Sequence, residues 1–246
     1  MTDTAHIEEC AVFLREELGL HPTAPLPDLK EVIHQAGYRF AEEHLGDTCS
    51  GFCRYLGGEH YLIGFNKDHY FNKEFFRFTL AHELGHVSLP HHRDMLKQAE
   101  LHRSDHNERD YIEREANHFA ISLLCPFGAY EAFLENRNPD LNTAVKAAEY
   151  FQTSLEASAR RMVFCTKKTV GLFYVTRNNQ IMPDTFSDAF HKIYDSSAEE
   201  FQNLLQHLNR SPNETGTSIT LSDGSQVALS GTYLDYKQQW LVLVQG

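Results

Sequence analysis

The spacing of apolar side chains divides most of the first two thirds of the chain into helices. Side chains three and four positions apart lie on one face of a helix, so apolar residues at that spacing predict a helix with one buried side. This spacing predicts helices over residues 4–18, 27–36, about 72–89, about 107–125 and 142–165. Pro90 and Pro126 end the third and fourth, because proline lacks a backbone donor and disfavours helix in the residue before it. The polar, histidine-rich residues from His91 to about Asn107 predict an irregular connection.

Short stretches of strand composition flank these helices. After Gly37 the pattern changes to short strands, and the stretch EHYLIGFN at 59–66 follows a turn at Gly57 and Gly58. Beyond Thr169, strand and helix signals mix: VGLFYVT, a helix near 186–208, turn residues Asp223 and Gly224, and a last strand WLVLVQ. We therefore predict an α+β protein, with a mainly helical domain containing a small sheet and a small C-terminal α/β domain.

A break at Gln152 divides the last predicted helix into two short ones. Thr153 and Glu156 have the spacing of a capping box for the second helix. The size of the pair and its turn resemble a helix-turn-helix. The chain then has three predicted parts, which are 1–134, 135–167 and 168–246.

Charge, hydropathy and cysteine content indicate the cellular location of the protein and the partners that it is not expected to bind. The 246 residues carry 22 basic and 34 acidic side chains, and this net charge of -12 opposes non-specific attraction to nucleic acid or anionic membranes. No apolar run reaches the roughly 20 residues of a membrane helix, and the acidic N-terminus differs from a secretory signal. Five scattered cysteines suit reduced thiols. We expect a cytoplasmic protein without membrane partners or direct nucleic-acid binding.

A candidate metal site lies in the stretch FTLAHELGHVSLPHH at 78–92, where His82, Glu83 and His86 have HExxH spacing. Residues four apart on a helix share a face, so the two imidazoles can bind one ion. Glu83 is one position round and can reach a metal-bound water without being a ligand. Zinc hydrolysis needs neutral nitrogen ligands, an open position for water, and a carboxylate that accepts the water's proton.

Three residues compete for the role of third ligand. His92 has the spacing of the HExxHxxGxxH pattern, but that pattern needs glycine where this chain has Leu89. Glu113 lies on the next helix and shares a face with Asn117, a plausible partner of the ligands. Glu115 is two residues further and points about 200° away around that helix. We favour Glu113 over Glu115, because it shares Asn117's face. Small residues on that face, together with Gly85 on the first helix, predict a close approach of the two helices.

Three segments together resemble the ImmA/IrrE-type metallopeptidases, which are gluzincin-like enzymes. They are RFTLAHELGH at 77–86, EREANHFA at 113–120 and LLCP at 123–126. The resemblance is strongest over 60–126, and TAVKAAEYFQTSLEASARRM is similar to the helix-turn-helix-like segment that often follows in this family. It implies a zincin-like peptidase domain and, as in IrrE-like members, a GAF- or PAS-like C-terminal domain.

The resemblance also implies an activity. Members of the family cut a helix-turn-helix transcriptional repressor at one site and thereby release genes for stress, phage or mobile-element responses. Carried over to this sequence, His82, His86 and Glu113 would hold zinc, and Glu83 would be the general base. The strand at 59–66 would be the sheet edge on which an extended substrate segment lies.

Two other functions compete with this interpretation. One is a non-catalytic zinc-containing regulator that binds a protein partner, although a structural zinc site would normally have four protein ligands. The other is DNA binding through residues 142–168, where Arg160 and Arg161 contribute to a small basic surplus. Several residues remain candidates for stabilising the oxyanion: His91, His92, His102, His106, Tyr111 and Tyr130.

Overall fold

The computed structural model describes residues 4–98, 106–178, 180–190, 218–220, 224 and 226–246, with the backbone alone at 106–110 and 219. The chain forms two compact units. The first consists of Met1–Ala129 with Tyr150–Ser154, and the second of Tyr130–Glu149 with Leu155–Gly246. Among the described residues, no helix combines the length and the apolar character that crossing a bilayer requires.

The first unit contains five α-helices and three strands among its described residues. In chain order they are α1 (Thr4–Glu17), α2 (Leu29–Gln35), β1 (Arg39–Glu43), β2 (Gly51–Gly57), β3 (His60–Asn66), α3 (Lys73–Ser88), α4 (Pro90–Gln98) and α5 (His106–Leu124). Apart from α4, the helices and short strands agree with the sequence pattern, and Gly57 and Gly58 form the predicted turn with positive φ angles of 100° and 63°.

Helix α3 has a defined beginning and end. The side chain of Asn72 caps its first turn by accepting the N–H of Phe75 at 2.8 Å. At the other end, Leu89 has the extended backbone that a following proline favours, while its N–H still donates to the Gly85 carbonyl at 3.0 Å. Pro90 ends α3 as predicted.

Helix α4 was not predicted. Residues from His91 onward were expected to form an irregular connection, but Pro90–Gln98 is helical. Proline suits the first position of a helix, where its missing N–H would have no helical partner in any case. The single proline therefore ends α3 and begins α4, which places His91 and His92 on a helix.

The sheet of the first unit has the order β1-β3-β2, with β1 parallel and β2 antiparallel to β3. Strand β3 is thus the central strand, and its residues Tyr61, Ile63 and Phe65 are buried. The prediction that residues 59–66 form the substrate-binding edge is wrong, because both sides of β3 are already paired. The edge strand next to β3 on the antiparallel side is β2.

Close packing of α3 on α5 forms the centre of this unit. A Cβ atom at Gly85 would lie 3.1 Å from the Phe119 ring and 3.2 Å from the Phe119 Cβ, so the glycine lets the two helices approach closely. Leu80, Leu84 and Leu123 around this contact are fully buried. The sequence prediction of a close approach at Gly85 is therefore confirmed.

The second unit is built on an antiparallel sheet. Its elements are α6 (Phe127–Leu134), α7 (Leu141–Phe151), α8 (Leu155–Cys165), β4 (Val170–Thr176), β5 (Ile181–Phe186), β6 (Ser218–Thr220), β7 (Gln226–Leu234) and β8 (Gln239–Gln245), although α6 and α7 each run across a unit boundary. The strand order is β5-β4-β8-β7-β6. All described pairings are antiparallel, so this part has an α+β arrangement instead of the predicted α/β one.

Some predictions for the second unit lie outside the described residues. Most of the helix expected near 186–208 does, and so does Asp223 of the expected turn. Gly224 of that turn has a positive φ of 85°, and the flanking strands β6 and β7 pair as a hairpin would. The buried core of the sheet is described by the following residues: Phe173, Val175, Phe190, Val227, Leu229, Val242 and Val244.

The predicted capping box at α8 is wrong. Among the residues that the structure describes, the buried Thr153 hydroxyl has no hydrogen-bond partner. The Glu156 carboxylate instead accepts hydrogen bonds from the Tyr174 hydroxyl at 2.7 Å and the Lys237 ammonium at 2.6 Å. The spacing fitted a cap, but a carboxylate that is 5% exposed is stabilised by the charged and hydroxyl donors that reach it.

Replacing Gly85 with alanine tests the helix contact. The added methyl group meets the Phe119 ring at a distance that requires the ring or the helix to move, so we expect Gly85→Ala to lower the free energy of unfolding by about 1–3 kcal/mol. Urea unfolding of the metal-free protein measures it. The matched control is Gly128→Ala on α6, where a Cβ meets no atom of the described residues within 4 Å. Equal stability of the two variants would contradict the packing argument.

Candidate metal centre

Helices α3 and α5 bring the three predicted ligands together. The Nε2 atoms of His82 and His86 are 3.1 Å apart. The Glu113 carboxylate places Oε2 3.1 Å from His82 Nε2 and Oε1 3.7 Å from His86 Nε2. The two imidazoles are largely buried, whereas the Glu113 side chain is 54% exposed, so the cluster faces solvent on one side.

These separations fit a tetrahedral metal ion. Zinc binds histidine nitrogen and carboxylate oxygen at about 2.0–2.2 Å, so two ligand atoms at a tetrahedral angle lie about 3.3 Å apart. Two imidazole nitrogens and one carboxylate are also the ligand types that zinc uses in hydrolytic sites. The three residues therefore suit a zinc ion both by distance and by chemistry.

The Asn117 side chain orients His82. Its Oδ1 atom lies 2.9 Å from His82 Nδ1. Because an amide oxygen can only accept, His82 carries its proton on Nδ1 and turns the lone pair of Nε2 toward the other ligands. The expectation from the sequence that Asn117 contacts the ligand set agrees with this geometry.

The charges in the cluster favour a bound cation. Burial, together with the neighbouring His82, lowers the pKa of His86 to about 3, so His86 is a neutral imidazole at physiological pH. Burial also acts to lower the pKa of His82, but the Glu113 and Glu83 carboxylates outweigh it and raise that pKa. Two carboxylates beside buried imidazoles thus attract positive charge, which a metal ion supplies without a proton.

Glu83 lies beside this cluster without joining it. Its side chain is 7% exposed, and its Oε2 atom accepts a hydrogen bond from the Cys53 thiol of β2 at 2.8 Å. Burial raises the pKa of Glu83, while the bond from Cys53 opposes that rise. A carboxylate whose pKa is raised toward neutrality is suited to accept and return a proton.

Strand β2 passes close to Glu83, which the sequence did not reveal. A Cβ at Gly51 would lie 2.6 Å from Glu83 Oε1 and 2.7 Å from Thr79 Cγ2, so only glycine fits there without displacing the carboxylate. Gly51 and Cys53 are two apart, hence on one face of the strand. This alternation was the only signal available, and it does not identify what the face touches.

The rival ligands lie behind the cluster. His92 Nδ1 is 3.1 Å from His86 Nδ1, on the opposite side of that ring from Nε2. Glu115 Oε2 contacts His92 Nε2 at 3.0 Å and His91 Nε2 at 2.6 Å. Neither His92 nor Glu115 joins the group formed by the two HExxH imidazoles and Glu113.

The structure places the candidates for stabilising the oxyanion in different parts of the molecule. Tyr111, His91 and His92 all hydrogen-bond to Glu115. Tyr130 belongs to the second unit, where its hydroxyl donates to the Ser158 carbonyl at 2.7 Å. His102 and the side chain of His106 lie outside the described residues. The oxyanion role is therefore unassigned.

The arginines considered for DNA binding make contacts within the second unit. Arg160 donates to Asp184 at 2.8 Å and to the Tyr174 hydroxyl at 2.9 Å. Arg161 is 2% exposed. An arginine that is buried or bound to a carboxylate is a poor phosphate ligand, so these contacts give the DNA-binding hypothesis no support.

Comparisons with known proteins agree with the geometry. Residues 40–163 match the family model of peptidase M78, described as the IrrE N-terminal-like domain. No curated protein matches the chain. Among solved structures, a Mycobacterium tuberculosis transcriptional regulator is similar with a TM-score of 0.61 and 14% sequence identity, over 97% of this chain and 86% of that one. At this identity the similarity concerns the fold alone.

Removing the carboxylate from the cluster tests its ligand set. We expect Glu113→Gln to weaken zinc binding by about a hundredfold or more, because a neutral amide replaces the one charged ligand. Competition with a chromophoric chelator measures the affinity. The control is Glu59→Gln, which removes an equal charge from a side chain that is 75% exposed and paired with Arg93 and Lys97. Equal zinc affinity in both variants would contradict the role of Glu113.

Proposed function

Because the chain belongs to the family of the IrrE N-terminal-like domain, we propose that it is a zinc-dependent, gluzincin-like endopeptidase. In this proposal His82, His86 and Glu113 hold the zinc ion, and Glu83 is the general base. The observation that carries it is the convergence of two Nε2 atoms and one carboxylate within 4.8 Å of one another, beside a buried Glu83. When bound, zinc supplies a Lewis acid that polarises a carbonyl and lowers the pKa of water.

Glu83 moves the proton in the proposed reaction. Its carboxylate takes a proton from the attacking water as the water oxygen bonds to the scissile carbonyl carbon. It then returns the proton to the amide nitrogen as the C–N bond breaks. One water is consumed, a carboxylic acid and an amine are released, and no electrons are exchanged. The Cys53 thiol donates a hydrogen bond to Glu83 Oε2 at 2.8 Å. In the proposal, the other carboxylate oxygen, Oε1, is the one that accepts the proton.

The edge of β2 is the proposed site for an extended substrate segment. Strand β2 ends the three-stranded sheet, and its Gly51 and Cys53 lie against Glu83. A peptide added to this edge would bond through its backbone, as in β-augmentation, and would pass next to the general base. The mode of recognition expected from the sequence is kept, and its location moves from β3 to β2.

The proposed substrate is a helix-turn-helix transcriptional repressor, cut at one site to relieve repression of stress, phage or mobile-element genes. The family resemblance suggests it, and charge supports it. Repressors are DNA-binding proteins with a basic surface, whereas this chain carries a net charge of -12. Opposite net charges speed the encounter of enzyme and substrate.

Two further expectations accompany this function. The second unit is proposed as a sensor or interaction domain of GAF- or PAS-like type, with which a five-stranded antiparallel sheet is compatible. None of the five cysteines forms a disulfide bond, which suits a reducing, cytoplasmic location.

A non-catalytic zinc-containing regulator is the competing function. It would bind the same partner without cutting it. The open side of the cluster, where the Glu113 side chain is 54% exposed, favours catalysis, because structural zinc sites are closed by four protein ligands.

Replacing the general base separates the two functions. The wild-type protein with zinc is incubated with the helix-turn-helix protein encoded next to it, and mass spectrometry locates any cut. We expect one discrete cut, and a rate that is about 10²–10⁴-fold lower in Glu83→Gln with zinc content unchanged. Asp94→Asn, an exposed change on α4, serves as the control. Binding of the partner without cleavage by the wild type would support the non-catalytic regulator instead.

Gly51→Ala tests the approach of β2 to the base. The methyl group would overlap Glu83 Oε1, so we expect the carboxylate to turn away and the cleavage rate to fall at least about tenfold. Zinc affinity should be unchanged, because Glu83 is not a ligand in the proposed site. Gly128→Ala is again the matched control. Full cleavage activity in Gly51→Ala would mean that β2 does not position Glu83.

A further inference from the structure

Helix α4 places two histidines against a buried carboxylate of α5. Glu115 is 3% exposed and accepts from His91 Nε2 at 2.6 Å and from His92 Nε2 at 3.0 Å, both at Oε2. The His92 side chain is fully buried. A second contact of His92 reaches the candidate metal centre, where its Nδ1 lies 3.1 Å from Nδ1 of His86. These contacts form a chain from Glu115 through His92 to His86.

The proton positions in this chain follow from the carboxylate. An ionised carboxylate can only accept, so the His92 Nε2 that faces it carries a proton. The 3.1 Å contact between His92 Nδ1 and His86 Nδ1 needs one donor and one acceptor, and a neutral His92 ring carries only the proton on Nε2. The other nitrogen of His92, Nδ1, then has a lone pair and can only accept a hydrogen bond. The neighbouring Nδ1 of His86 must supply the proton for that contact, and the lone pair of His86 is left on Nε2.

This tautomer of His86 is the one that a metal ligand needs. Its Nε2 faces His82 Nε2 at 3.1 Å and Glu113 Oε1 at 3.7 Å. In the opposite tautomer, His86 would point an N–H into the ligand set and could not bind an ion there. Glu115 therefore decides which ring nitrogen of His92 and of His86 carries the proton, although two hydrogen bonds separate Glu115 from His86.

We infer that Glu115 and His92 are positioning residues that fix the Nδ1-protonated tautomer of His86 and so raise the zinc affinity of the site. The inference rests on the proposed zinc ion. It gives each histidine ligand its own acceptor, which is Asn117 for His82 and His92 for His86. Hydrogen bonds of this kind to metal-bound histidines typically change metal affinity by about 10–100-fold.

The same residues could be read as a second metal site, because His91, His92 and Glu115 also converge within 4.8 Å. The protons exclude this use while the first site is filled. If both His86 Nε2 and His92 Nε2 bound ions, each neutral ring would carry its proton on Nδ1. Two N–H groups would then face each other at 3.1 Å with no acceptor between them.

Nitrogen NMR of the zinc-loaded full chain, labelled with ¹⁵N-histidine, reads the tautomers directly. We expect the proton of His86 on Nδ1 and that of His92 on Nε2, assigned with the His92→Asn variant. A proton on Nδ1 of His92, or a second zinc equivalent bound with comparable affinity, overturns the inference.

Two substitutions of His92 separate a proton acceptor from a packing residue. His92→Asn keeps an amide oxygen near the position of Nδ1, and we expect it to retain most of the zinc affinity. His92→Leu fills the buried site but accepts no hydrogen bond, so we expect a loss of about 10–100-fold. A mere packing role predicts the reverse order, and that result overturns the inference.

Glu115→Gln completes the test, with Asp94→Asn as the charge-matched control on α4. We expect zinc affinity to fall about tenfold in Glu115→Gln and to stay unchanged in the control. Circular dichroism of the zinc-free variants checks that α4 and α5 are still folded. If the wild type binds zinc and Glu115→Gln binds it equally well, only this inference fails. If the wild type binds no zinc, the proposed metal site fails with it.

Discussion

The close approach of α3 and α5 is the contact on which the candidate site depends. His82 and His86 come from one helix and Glu113 from the other, so their separation of 3.1–3.7 Å exists only while the helices remain in contact. Gly85 allows that approach, because a larger residue would meet Phe119 at 3.1 Å. The glycine belongs to the same turn of helix as the second histidine. Packing and chemistry are thus set by adjacent residues, and a change in one moves the other.

Burying so many polar groups in one place is costly unless each has a partner. The structure meets this demand with ordered hydrogen bonds: Asn117 to His82, Cys53 to Glu83, and Glu115 to His92. Each acceptor or donor fixes one orientation of the group that it contacts. The arrangement therefore holds the candidate ligands and the proposed base in one orientation each, so binding of the proposed ion would need little reorganisation.

How far the sequence could predict this site depended on the range of each interaction. The period of a helix places His82 and His86 on one face, and it also places Glu113 and Asn117 together, so each of these two pairs could be found from spacing. Contacts between different helices and strands cannot be predicted from the period of a single element. The meeting of Gly51 and Cys53 with Glu83 depends on how β2 crosses α3, and the central position of β3 depends on a strand order that local patterns do not encode.

The interpretation of Pro90 only as the end of α3 concealed the hydrogen bonds that His91 and His92 of α4 make. Proline ends a helix and also begins one, and the sequence analysis used only the first property. With α4 in place, His92 lies behind His86 instead of beside it, and its Nε2 faces Glu115. His92, which the HExxHxxGxxH pattern would use as a metal ligand, here accepts a hydrogen bond from the candidate ligand His86 in the inferred tautomers. The backbone at Leu89 decides whether His92 can reach the candidate ligand set. It is extended here, whereas the HExxHxxGxxH pattern has a glycine that allows a sharp turn at this position. Which histidines join the candidate ligand set is therefore decided by backbone geometry, and the number of histidines near the motif does not determine it.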